Sequence, residues 1–302
     1  MSLLKSIVVF RISPEWTAPA LENLEAQLQR SPFISCGPTQ ELSVGWVPPR
    51  DVDFAALAES IGGHVILKLS VEKKVVPAGA LKHAVEEYCK ELANARGTKV
   101  RGKEKKEIKA DMKLTMLPRA FSKMSSNTVW LDAHNRFLVV GAASLKGAEL
   151  VVKAIVELMS DLGHTMLATP LSTAILPGAA MSNWLLAKDA PAGFSLDRDV
   201  ELKQPADKSA VKYAKHNLEL DEIVNHIMAG KVPTKLALIW EGRVGFVLNE
   251  SYGLSKITTL EVDADSGNEE GFDADVAITT SELSLLLPDL LLALGGETVA
   301  VE

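Results

Sequence analysis

Thr128-Val129-Trp130-Leu131-Asp132 and Arg136-Phe137-Leu138-Val139-Val140-Gly141-Ala142 are two apolar runs separated only by Ala133-His134-Asn135. Runs of this length bounded by turn residues read as strands, and so short a link reads as a hairpin loop. Leu145–Leu162 follows at once, with apolar residues three and four apart, the spacing of one helix face. Working outward, strands are expected at Ser6–Ile12, His64–Val71, Thr234–Trp240 and Arg243–Leu248, the last two joined by a turn through Trp240-Glu241-Gly242-Arg243. Helices are expected where Leu21, Leu24 and Leu28 recur, from Pro77 through Leu81, Val85, Tyr88 and Leu92, at Leu218–Ala229 with Gly230 as stop, and at Ser281–Leu294. Thr279 and Glu282 have the spacing of a capping box for that last helix, Pro288 should kink or divide it, and Gly295-Gly296 ends it. Strand pairs separated by single helices, with no regular βαβ march, place the chain in the α+β class.

The chain has 302 residues, 47% hydrophobic and 24% charged, with a formal net charge of −7. These are globular values that exclude disorder and fibrous repeats, and the length fits roughly two units. Three regions are read: 1–76 with 126–170 as a central α+β region, 77–125 as a projecting helical basic tip, and 171–302 as a C-terminal α+β base. Two cysteines, Cys36 and Cys89, build neither a disulfide framework nor a four-ligand zinc site, which points to a reducing compartment. In MSLLKSIVVFRIS, Arg11 interrupts the apolar run and no cleavage site follows, so no export signal is read. The most apolar stretch, Leu283–Leu294, is short of the ~20 residues that span a bilayer. A cytoplasmic protein without membrane contact is expected.

On net charge alone, nucleic acid is a poor partner. The charge is uneven, however. Arg96, Lys99, Arg101, Lys103, Lys105, Lys106, Lys109, Lys113, Arg119 and Lys123 face only Glu104, Glu107 and Asp111, so residues 96–123 carry +7 and the remaining 274 residues −14. Ile257–Glu302 holds eleven acids and no Lys or Arg. A run such as KEKKEIKADMK reads either as a solvated helix or as a surface that neutralises phosphates and releases counterions. Phe121 is the only aromatic residue in the window, which favours duplex binding by charge over stacking on single strands. Its position after Pro118-Arg119-Ala120 favours an interface over a place in the core.

Catalytic motifs are weak. Gly97–Lys103 has GxxxxGK spacing, but Glu104 stands where a phosphate-binding loop needs Ser or Thr, and no apolar strand precedes it. The six histidines lack metal-ligand spacing; Glu222 and His226 share a helical face, yet two ligands make no site. Cys89 reads as packing. Asp273 and Asp275 would share one face of a strand, the only hint of a metal-dependent nuclease. No catalytic residue, metal or cofactor is expected. A protein-interaction module whose basic arm binds an acidic partner is the other alternative.

Five strings in register carry a resemblance: Gly45-Trp46-Val47-Pro48-Pro49; Leu117-Pro118-Arg119-Ala120-Phe121-Ser122; Asn225-His226-Ile227 through Ala229-Gly230-Lys231-Val232 to Thr234-Lys235-Leu236-Ala237-Leu238; Phe272-Asp273-Ala274-Asp275; and Ala293-Leu294-Gly295-Gly296-Glu297. Together they closely resemble the RdgC family of bacterial recombination-associated proteins, over essentially the whole chain. The resemblance implies an elongated, horseshoe-shaped α+β protomer that pairs at both ends into a ring dimer, with duplex DNA in a basic hole. It implies largely sequence-independent binding, association with the nucleoid, functional antagonism of RecA and no catalytic activity. Phe121 matches the family's aromatic at the tip where protomers meet, Arg96 and Lys99 begin the basic stretch, and Lys215 matches a lysine expected to face DNA. Gly97 and Gly102 should break the helix of the basic window. Leu171–Met181 and the acidic loop Asp263–Glu270 depart from the family pattern, and 298–302 reads as a free tail.

Overall fold

The computed structural model describes residues 3–50, 52, 54–260 and 269–298; most of the acidic loop (263–268) and of the tail (299–302) lie outside the described residues. In chain order the elements are β1 (Ser6–Ile12), α1 (Leu21–Leu28), β2 (Leu42–Val47), β3 (Ala58–Ile61), β4 (His64–Val75), α2 (Ala78–Arg96) and α3 (Gly102–Met116). A 3-10 turn (Leu117–Arg119) leads to β5 (Phe121–Asp132), β6 (Phe137–Val140), α4 (Leu145–Asp161), β7 (Ala168–Pro170), α5 (Pro177–Ala187), β8 (Phe194–Lys203) and β9 (Ala210–Tyr213). The chain closes with α6 (Asp221–Met228), β10 (Val232–Trp240), β11 (Val244–Asn249), β12 (Leu254–Thr259) and α7 (Glu269–Ala293). The class is α+β, as expected. Two compact units emerge: Met1–Leu28 with Pro48–Leu67 and Asn127–Glu302, and Gln29–Val47 with Lys68–Ser126.

In the first unit the strands run β5-β6-β1-β12-β11-β10-β8-β9. The opening hairpin forms with Asp132 opposite Phe137. Val9 pairs with Val139 and Phe10 with Leu138, all in antiparallel register. Ile7, Val9, Phe137 and Val139 enter one core cluster, while their neighbours Val8, Phe10, Leu138 and Val140 are buried outside it. Burial on both faces is why these strands are continuously apolar rather than alternating. Helix α4 is capped by Ser144, whose Oγ accepts the Gly147 N–H at 3.2 Å, and buries Ala148, Val151, Ile155, Leu158 and Met159 along one stripe. Each such large aliphatic side chain stabilises the fold by about 1.5–3 kcal/mol.

Helix α7 departs from expectation. It starts at Glu269, so Thr279 and Glu282 lie inside it and cap nothing; Thr280 Oγ1 bonds back to the Val276 carbonyl at 2.8 Å. Pro288 neither ends nor divides it. Proline leaves the carbonyl four residues earlier without its helical donor, and that carbonyl, Ser284, receives Asn135 Nδ2 at 3.1 Å from the β5–β6 loop. The same amide donates to buried Asp132 at 2.8 Å. One loop residue therefore satisfies both the hairpin carboxylate and the proline defect.

In the second unit β2 pairs antiparallel with Lys68–Lys73 of β4. Against the other side of β2 runs the segment Ser31–Phe33, with Phe33 N–H bonded to the Trp46 carbonyl at 2.9 Å. The approach is so close that a Cβ on Gly45 would lie 2.4 Å from Phe33 Cα, which explains the glycine in GWVPP. Buried Glu72 accepts the Cys36 N–H at 2.7 Å. That bond first, with a second from the Ser122 side chain, holds its carboxyl below the ordinary value. Helices α2 and α3 close over a small cluster of Leu81, Val85 and Ile108, flanked by Cys89, Leu92, Val100 and Met112, so Cys89 is a packing residue as expected.

Candidate nucleic-acid interface

The basic window is a helical hairpin broken where its glycines stand. Gly97 caps α2 with φ +69° and donates its N–H to the Ala93 carbonyl; Gly102 opens α3 at φ +59°. Lys99 and Arg101 lie in the link, exposed. Helix α3 buries Ile108, and its charges divide around that anchor. Glu104, Glu107 and Asp111 follow i, i+3, i+7 spacing, and Lys106, Lys109 and Lys113 follow the same spacing two residues later. An offset of two residues is a little over half a helical turn, so the acidic and basic stripes lie on opposite sides of α3.

Arg96 pairs with Glu104 at 2.6 Å, Lys113 with Glu41 at 2.6 Å and, loosely, Lys103 with Glu107 at 3.8 Å. Lys99, Arg101, Lys105, Lys106, Lys109, Arg119 and Lys123 are exposed and hold no ion pair among the described residues. The strand expected at Thr128–Asp132 begins earlier, at Phe121, and its first six residues are exposed. Phe121 is 89% exposed, so it is not a core residue.

Lys215 belongs to the first unit. It has φ +54° and its N–H donates to Asp199 Oδ1 at 3.0 Å. Beside it a polar cleft of about 500 Å³ is lined by Asp197, Arg198, Lys215, His216, Asn217 and Glu219. On β8, Lys256 Nζ reaches Asp199 Oδ2 at 2.8 Å and Lys235 Nζ reaches Glu201 Oε2 at 3.0 Å. The Lys256 bond first, then the Lys215 N–H, hold the Asp199 carboxyl below its ordinary value; Lys235 does the same for Glu201, and Lys212 adds its charge to both. Of this group only Lys215 was legible in the sequence, through the family resemblance; Asp199, Glu201, Lys212, Lys235 and Lys256 were missed because they are scattered through an acidic segment. The alternating charges Asp197, Asp199, Glu201 and Lys203 are the signal that marks the polar face of β8.

Asp273 and Asp275 do not share a strand face. They lie in α7, where residues two apart point to opposite sides, and Asp273 pairs with Arg50, which also binds Glu59. Glu222 lies beside Tyr213, whose hydroxyl is raised by burial and then by that carboxylate; the His226 ring is 6.1 Å from the Tyr213 ring. No group of three or more His, Cys, Asp or Glu residues suited to a metal occurs among the described residues. Gly271–Ala293 is long and apolar enough to cross a membrane, while its Val276, Leu283, Leu286, Leu287, Leu290 and Leu291 form part of the sheet's core.

The family model described as "Putative exonuclease, RdgC" matches residues 2–297. The chain belongs to the RdgC family. Relatives that match over nearly the whole chain carry the name recombination-associated protein RdgC. That of Dechloromonas aromatica is 38% identical over 98% of each chain. Those of Herminiimonas arsenicoxydans and a Janthinobacterium species are 36% and 37% identical, each over 97% of this chain and 98% of the relative. The family's part in recombination thus comes with the assignment; its model's description and its relatives' names differ on whether RdgC proteins are enzymes.

Proposed function

We propose that this protein binds double-stranded DNA without sequence preference, encircles it as a homodimeric ring and restrains RecA-dependent recombination, without catalytic activity of its own. The observation that carries this reading is the basic hairpin: seven exposed cations between Lys99 and Lys123 that hold no ion pair among the described residues, with the α3 acids turned to the opposite side from Lys106 and Lys109. Such a surface meets phosphates, which carry no base information. Horseshoe protomers join at the Phe121 tips and at their bases, the acidic remainder keeps duplex off the outside, and the protein works in the cytoplasm at the nucleoid.

Duplexes of unrelated sequence should bind with the same affinity, and that affinity should fall steeply and linearly on a log–log plot against salt. Replacing Lys99, Lys103, Lys106 and Lys215 with Gln should flatten the slope by as much as about 3.6, at about 0.9 per phosphate contact. Salt-insensitive binding, or hydrolysis of DNA with Mg²⁺ or Mn²⁺ that Asp273→Asn abolishes, overturns the reading.

A further inference from the structure

Asp199 uses its two carboxylate oxygens on two different lysines. Oδ1 accepts the Lys215 backbone N–H at 3.0 Å, and Oδ2 accepts the Lys256 ammonium at 2.8 Å. Both lysines have left-handed backbones, φ +54° and +53°. A residue with a Cβ holds that conformation only when its surroundings fix it. Asp199 holds Lys215 at its backbone N–H, whereas Lys256 takes its backbone from the irregularity in the β11–β12 pairing and meets Asp199 only with its head group. The first leaves the Lys215 side chain free to meet a ligand; the second occupies the Lys256 charge.

We propose that Asp199 is a positioning residue for duplex DNA: it sets the direction in which Lys215 leaves the backbone and keeps Lys256 from contributing a phosphate contact. The inference rests on the reading of Lys215 as a DNA contact. It differs from a bystander carboxylate in how its neutral replacements compare with one another. A bystander near a polyanion only repels, so every neutral replacement should strengthen binding equally. A positioning carboxylate separates its replacements. Asn keeps an acceptor for the Lys215 N–H and loses the charge; Ala loses both.

The test is the affinity of the full chain for a labelled mixed-sequence duplex, followed through a salt series. Asp199→Asn should bind more tightly than the unmodified protein, with a salt slope steeper by about 0.9 as Lys256 is released to a phosphate. Asp199→Ala should bind about five-fold more weakly than Asp199→Asn, the worth of the lost N–H acceptor. In a Lys215→Gln background that difference should vanish. Equal affinities of the two Asp199 variants, with Lys215→Gln itself weakening binding, overturn the positioning role. Lys215→Gln without effect removes instead the contact on which it rests. Should Asp199→Ala not fold, hydrogen exchange in the unmodified protein decides. The Lys215 amide should exchange about ten-fold slower than an unbonded one, and unprotected exchange refutes the anchor.

Discussion

Replacing Lys105, Lys106 and Lys109 together with Gln removes three exposed ammonium groups that hold no ion pair among the described residues. If each neutralises one phosphate, the slope of log affinity against log salt falls by about 2.7, at about 0.9 per contact. Between about 50 and 200 mM salt, the unmodified protein then loses roughly forty-fold more affinity than the triple variant does. Lys113 is the internal control. Its ammonium is already engaged by Glu41 at 2.6 Å, so Lys113→Gln should change the slope by well under 0.9. Gln and Lys have similar helix propensity, so circular dichroism should be unchanged in both variants. Fluorescence anisotropy on a short duplex gives the slopes. A triple variant with the unmodified slope, or Lys113→Gln as costly as each of the three, refutes the assignment of free lysines to phosphate.

Three further outcomes concern the fold. Asn135→Ala leaves the Ser284 carbonyl and one Asp132 oxygen without the amide donor, and should lower stability by about 2–3 kcal/mol in urea unfolding; an unchanged midpoint would show that the proline defect needs no partner. Gly45→Ala places a Cβ against the Phe33 backbone and should cost about 1–3 kcal/mol on the same assay, whereas Ala at Gly63, with nothing within 4 Å, meets only the strain of φ +85°. Glu72 titrates below its ordinary value of 4.5, so its stabilisation is complete above that pH and is lost as pH falls through the lower folded value. Glu72→Gln should remove this component of the acid dependence, seen as a flatter stability curve below pH 4.5; a curve parallel to that of the unmodified protein would contradict it.

The elements legible in the sequence are those whose side chains are buried. The runs Val8–Phe10 and Phe137–Val140 are apolar because both faces are covered, and Leu145–Asp161 shows its stripe because one face is. Strands with a solvated face hid. In β8 the polar positions Asp197, Asp199 and Glu201 outweigh Leu196, Val200 and Leu202, and the first half of β5, Phe121–Ser126, is exposed throughout. Local signals also misled in α7. Thr279 and Glu282 have cap spacing, yet helix continues upstream of them because Val276 lies in the core and supports another turn. Of the candidate interface, the window at 96–123 was visible because its charges are contiguous. Of the Asp199 group only Lys215 was, through the family resemblance; Asp199 and Lys256 were not, since folding gathers the group from residues 199 to 256.

The proposed encirclement predicts a behaviour that mere adhesion to DNA does not. Loaded on covalently closed circular duplex and then challenged with about 1 M salt, where charge attraction is screened within ~3 Å, a closed ring should remain bound until a single double-strand cut releases it. Equal loss from circular and linear DNA would contradict encirclement and leave only a basic surface.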